Sequence, residues 1–75
     1  MINRAYLRPQ EMPPPGKEYV LVRRAGDGFV VDHRIGRLGT WEGLFETREG
    51  AFAAAEDSAS MRGLDLIYAK NLFDA

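Results

Sequence analysis

The stretch Tyr19-Val20-Leu21-Val22-Arg23-Arg24-Ala25-Gly26-Asp27-Gly28-Phe29-Val30-Val31-Asp32-His33-Arg34-Ile35 decides how this chain is read. Two runs rich in β-branched and aromatic residues flank Ala25-Gly26-Asp27-Gly28, and glycines around an aspartate suit a tight turn with positive φ. The reading is a β-hairpin. An even-length loop places Val20 and Val22 on one face with Phe29, Val31, His33 and Ile35, because side chains alternate along a strand. The opposite face then carries Leu21, Arg23, Val30, Asp32 and Arg34. With Asp27-Gly28 as a two-residue turn, Arg23 lies across from Asp32 as an exposed ion pair worth little. The first face is expected to be core.

Downstream, Gly36-Arg37-Leu38-Gly39 reads as a second turn and Thr40–Glu46 as a third strand. Its alternation puts Trp41 and Phe45 on the core face, and Glu42, Leu44 and Glu46 on the other. Gly43 marks a bulge or leaves room for His33. Thr47 is a suitable N-cap and Glu49 favours the start of the helix dipole, so a helix is expected over about 48–62, stopped by Gly63. Ala51, Phe52, Ala55 and Ala59 share one stripe of that helix. Leu64–Lys70 returns as a last strand, and 71–75 is a frayed tail or a docked hydrophobic hook. The predicted fold is α+β: a three- to four-stranded, mainly antiparallel sheet in ββ-β-α-β order, with one helix on one face.

Upstream, Pro9 and Pro13-Pro14-Pro15-Gly16 deny helix and favour an extended arm. Residues 1–17 are therefore read as a Pro-rich N-terminal arm and residues 18–75 as a single domain. A chain of 75 residues is near the lower limit for a self-sufficient core. Without cysteine it has neither disulfides nor thiolate zinc ligands to support it. That leaves packing, alone or with self-association. The absence of cysteine, of a spanning apolar run and of a leader-like stretch places the chain in the cytoplasm by expectation. A net charge of −1 with mixed signs offers no broad basic field for nucleic acid.

Chemistry is sparse. His33 is the one histidine, and both serines, Ser58 and Ser60, fall on the alanine-rich helix. A nucleophile–base arrangement or a metal site would need more partners than the chain owns. On the predicted strand Glu42 and Glu46 stand about 13 Å apart, too far for a glycosidase pair. The chain is read as non-enzymatic, without cofactor or metal. The remaining feature is an imbalance: one helix covers one sheet face, while the other carries Leu21, Val30 and Leu44 among Arg23, Arg34 and Glu42. Either the arm folds back over that face, or a second copy or another protein covers it. The candidate partner-binding residues are Leu21, Arg23, Val30, Arg34, Arg37, Glu42 and Leu44. The rival expectation is a small nucleic-acid-binding module using Arg23, Arg24, Arg34 and Arg37.

From Tyr19 onward, the hairpin, Phe45-Glu46-Thr47-Arg48-Glu49-Gly50-Ala51, the alanine helix and Gly63-Leu64-Asp65-Leu66-Ile67 resemble small uncharacterised bacterial and phage domains of strand–strand–helix–strand type. In those, a Phe-x-Thr-x-x-x-Ala helix entry follows a short strand. By type, in size and lack of chemistry, the chain is also similar to phage-encoded inhibitors of bacterial defence, including anti-CRISPR proteins. That resemblance implies a protein-binding surface that occludes a large host complex.

Overall fold

The computed structural model describes residues 2–36 and 38–72. Five strands and one helix follow in the order β1 (Asn3–Leu7), β2 (Glu18–Ala25), β3 (Gly28–Ile35), β4 (Leu38–Phe45), α1 (Arg48–Met61) and β5 (Leu66–Lys70). They form one mixed sheet in the spatial order β1-β5-β2-β3-β4, with α1 on one face. The expected α+β class and single helix are present, but the sheet is larger and less antiparallel than the sequence suggested. β5 runs parallel to both β1 and β2 and lies between them. The N-terminal segment, expected to be only an arm, contributes β1 at one edge.

The hairpin faces are as the alternation requires. Val20, Val22 and Val31 are fully buried beneath the helix, and Phe29 lies with them. The turn itself sits one residue earlier than expected. Ala25 pairs with Gly28, leaving Gly26 and Asp27 as the two loop residues. Gly26 takes φ +61 at the first loop position, the left-handed requirement of a type II′ turn. The register therefore shifts by two residues: Arg23 lies opposite Val30, and Asp32 opposite Leu21. Arg23 still reaches Asp32 on the diagonal, with Nε donating to Oδ2 at 2.7 Å. Asp32 is buried, so this is not the exposed pair expected from the sequence.

Strand β4 departs most. Val31 faces Gly43 but Asp32 faces Trp41, so Glu42 is an extra residue in a β-bulge beside Gly43. Beyond a bulge every side chain changes face. Trp41, predicted in the core, stands instead on the face away from the helix, 61% exposed. Glu42, predicted on that open face, turns to the helix and bonds Ser58 and Arg62. Phe45, on the near side of the bulge, keeps its predicted place against the core. Ile35 has the expected face but is 53% exposed. A helix of 14 residues is about 21 Å long and an eight-residue strand about 27 Å, so strand ends overhang it.

The helix follows its signals closely. Thr47 caps it, its side chain accepting from the Gly50 amide at 3.0 Å. Ala51, Phe52, Ala55 and Ala59 are its buried stripe. Leu64 N donates to the Ala59 carbonyl and Gly63 N to that of Ser60, the two bonds of a Schellman stop. Arg4 of β1 lies 4.1 Å over the Phe52 ring and pairs with Glu56 at 2.9 Å, tying the edge strand to the helix. Leu72 is buried in the same core, while Phe73–Ala75, the rest of the proposed hook, lie outside the described residues.

Gly28, at the start of β3, lies close against the end of β4. A Cβ there would come within 2.9 Å of the Phe45 carbonyl oxygen, a backbone atom that cannot swing away. Gly28→Ala should therefore cost about 1–3 kcal/mol by forcing the strands apart. Urea unfolding checks this, and an unchanged midpoint would show that the strands give way freely.

Candidate functional site

Two elements reach the sheet from opposite sides. Strand β1 runs parallel to β2, so residues 8–17 must recross the length of the sheet to begin β2. They do so on the face away from α1. Lys70 Nζ contacts Met12 Sδ at 3.2 Å, Pro13 is buried, and Pro14 and Lys17 share a cleft with Tyr19, Leu66 and Tyr68. Tyr19 and Tyr68 meet edge to face, with ring centroids 5.7 Å apart. Leu21 lies beside Tyr68 in the register, and both Leu21 and Val30 are only 4% exposed. The centre of the open face is thus closed within the chain itself.

This divides the residues singled out from the sequence. Leu21 and Val30 are core rather than contact surface. Arg23 holds Asp32, and Arg34 is half-buried, lying along Gly39, its Nε buried without a hydrogen-bond partner among the described residues. Glu42 is on the helix side. Arg37 lies outside the described residues. Leu44 alone among the apolar candidates is exposed, at 60%. The bulge brings Trp41 beside it on the same face, opposite Asp32 as Leu44 is opposite Val30. Sequence alternation assigned Trp41 to the core; the signal that could have corrected it was Gly43, the residue that commonly marks a bulge.

Strand β4 is the sheet's outer edge on this side and has no buried residue. Its free backbone groups invite another strand, but a bulge near mid-strand interrupts the ladder that such a strand would need. The strand's exposed large apolar side chains are Leu38, Trp41 and Leu44, the last two together on the face away from the helix.

On the helix side, a cleft of about 440 Å³ is lined by Glu42, Ala54, Asp57, Ser58, Met61 and Arg62. Ser58 Oγ donates to Glu42 Oε1 at 2.6 Å, and Arg62 reaches both, Glu42 Oε1 and Ser58 Oγ each at 3.2 Å. The Ser58 hydroxyl, and then Arg62, hold the Glu42 carboxyl below its ordinary value. The ionised carboxylate accepts a hydrogen bond from the Ser58 hydroxyl and is too weak a base to take its proton, and the cluster fastens the bulge to the helix. His33 is buried, with Nε2 bonded to Glu18 Oε2 at 2.7 Å. Among the described residues no group of three or more His, Asp or Glu side chains is placed to hold a metal ion. Nor is any helix among them long and apolar enough to cross a membrane.

No family model, curated protein or solved structure matches this chain.

The Glu42 network has a defined pH signature. A carboxyl whose pKa is depressed on folding stabilises the fold fully above its unfolded value of about 4.3, and the contribution is lost as pH falls through the folded value. Glu42→Gln should cost about 1 kcal/mol at pH 7, with the difference from the parent protein shrinking progressively as pH falls below about 4.3. Urea midpoints measured across that range test it; a difference independent of pH would show that Glu42 acts by packing alone.

Proposed function

We propose that this chain is a non-enzymatic protein-interaction module that works by covering or bridging a partner's surface, with Trp41 and Leu44 at the centre of contact. The observation that carries this reading is the pair of large apolar side chains exposed at 61% and 60% on one face of strand β4. Tryptophan is the residue most enriched where binding energy concentrates, and anchoring on a strand keeps its ordering cost low. Arg34 and the Arg23–Asp32 pair, on the same face, supply the polar rim. The partner is a protein, or a second copy of this chain, carrying a complementary apolar surface. A host defence complex, the target implied by the likeness to phage-encoded inhibitors, is one such partner.

The hairpin arginines favour this reading over phosphate recognition. Arg23 is held by Asp32, and Arg24 lies 5.1 Å over the Phe29 ring, so both guanidinium groups are engaged within the fold. Each would have to leave a partner to meet a phosphate.

Because Trp41 and Leu44 are exposed, Trp41→Ser with Leu44→Ser should leave stability within about 0.5 kcal/mol of the parent. It should weaken association by about 2 kcal/mol or more, roughly thirtyfold. Light scattering of the pure protein, and capture from host extract with the parent and double variant side by side, provide the test. Unchanged association would overturn the assignment. Binding to RNA that falls steeply with salt and is lost on Arg34→Ala would favour the nucleic-acid reading instead.

A further inference from the structure

Arg34 is a cation that the fold holds in place without neutralising it. It stands on the open face of β3, opposite Gly39 of β4. Gly39 has no side chain, and the arginine lies across the space this leaves. Its Cζ and Nε come within 3.6 and 3.7 Å of the point that a Cβ at Gly39 would occupy. Nε is buried there without an acceptor among the described residues, and none of their carboxylates pairs with the guanidinium. The two terminal nitrogens are not buried, so they meet solvent. Asp32, on the same face two residues away, is already taken by Arg23 at 2.7 Å. A half-buried guanidinium in this state gains more from an incoming acceptor than one with its donors already filled.

Along β4 this face presents Arg34 over Gly39, then Trp41, then Leu44. Two residues of strand separate Gly39 from Trp41, about 7 Å. We infer that Arg34 is the anion anchor of the Trp41–Leu44 surface, and that the partner it fits is a protein segment carrying a carboxylate beside apolar side chains. The inference rests on the reading of Trp41 and Leu44 as a contact surface and adds the chemistry of the partner. A carboxylate meets the two terminal nitrogens with both oxygens, the forked geometry that a lysine does not offer. Contact along Gly39 already restricts the arginine, so little of its freedom is lost on binding. Apolar neighbours would exclude water from the pair and strengthen it. A phosphate chain fits less well, because it draws on several cations at once while Arg23 and Arg24 are engaged within the fold.

The probes are two acetylated, amidated tripeptides, Leu-Glu-Leu and Leu-Gln-Leu, with a uridine hexanucleotide beside them. Each is titrated into the full chain by NMR, observing the Trp41 indole N–H and the Arg34 Nε–H, whose burial protects it from exchange with water. Leu-Glu-Leu should shift both signals and bind roughly tenfold more tightly than Leu-Gln-Leu, the worth of charge-assisted hydrogen bonds. In Arg34→Gln the two peptides should bind alike, with the Trp41 shift retained. Equal binding of the two peptides to the parent chain would overturn the carboxylate assignment while leaving the apolar patch standing. A Trp41 signal unmoved by either peptide would overturn both. Tighter binding of the hexanucleotide than of Leu-Glu-Leu would replace the carboxylate with phosphate. If Arg34→Gln does not fold, the comparison of the two peptides on the parent chain decides alone.

Discussion

The central strands leave no face for solvent. Val20, Leu21 and Val22 are consecutive and all buried, as are Val30 and Val31 beside them. A sheet whose middle is apolar on both sides must be covered twice, and this chain has one helix. The second cover is the crossing from β1 to β2, an irregular segment that meets the requirement with a proline, which brings an apolar ring and no amide to satisfy. A segment rich in amide donors would leave unpaired groups at the same place. The composition of the arm and the two-sided burial of β2 are thus one fact seen from two ends.

The bulge at Glu42 has effects on both faces at once. Toward the helix it delivers a carboxylate to Ser58 and Arg62, closing the gap between the edge strand and α1. Away from the helix it delivers Trp41 to the surface next to Leu44. Neither effect is available to a regular strand, in which Glu42 and Leu44 share a face and Trp41 is buried. The interruption also makes β4 a poor template for a further strand, so the exposed edge does not invite open-ended pairing.

Features governed by neighbours in sequence were legible. The hairpin faces, the N-cap at Thr47, the buried stripe of Ala51, Phe52, Ala55 and Ala59, and the stop at Gly63 all rest on spacing of a few residues. What was not legible depends on contacts far apart in the chain. β1 pairs with residues more than sixty positions away, in parallel, and nothing in its composition announces that. The place of β5 between β1 and β2 follows from the crossover and not from its own pattern. Of the candidate contact residues, Leu44 was found because it is on the expected face of β4. Leu21 and Val30 lie on the expected face, but both are buried within the chain, which the alternation of their strands does not disclose. Trp41 was missed because a single inserted residue reverses the alternation, and Gly43 signals an irregularity without fixing its direction.

The two halves of the open face meet at the Arg23–Asp32 pair. Asp32 is buried and sits directly opposite Trp41, while Arg23 remains partly in solvent. In the free chain that exposure limits the pair's worth, since water screens the guanidinium. A partner seated on Trp41 and Leu44 also covers this pair and removes the screening. The charges then strengthen each other only if the partner leaves their geometry intact; one that pulls Arg23 away leaves a buried carboxylate alone, at a cost of several kcal/mol. On the proposed function, the apolar patch would supply affinity, and the ion pair beneath its rim would restrict which surfaces could use it.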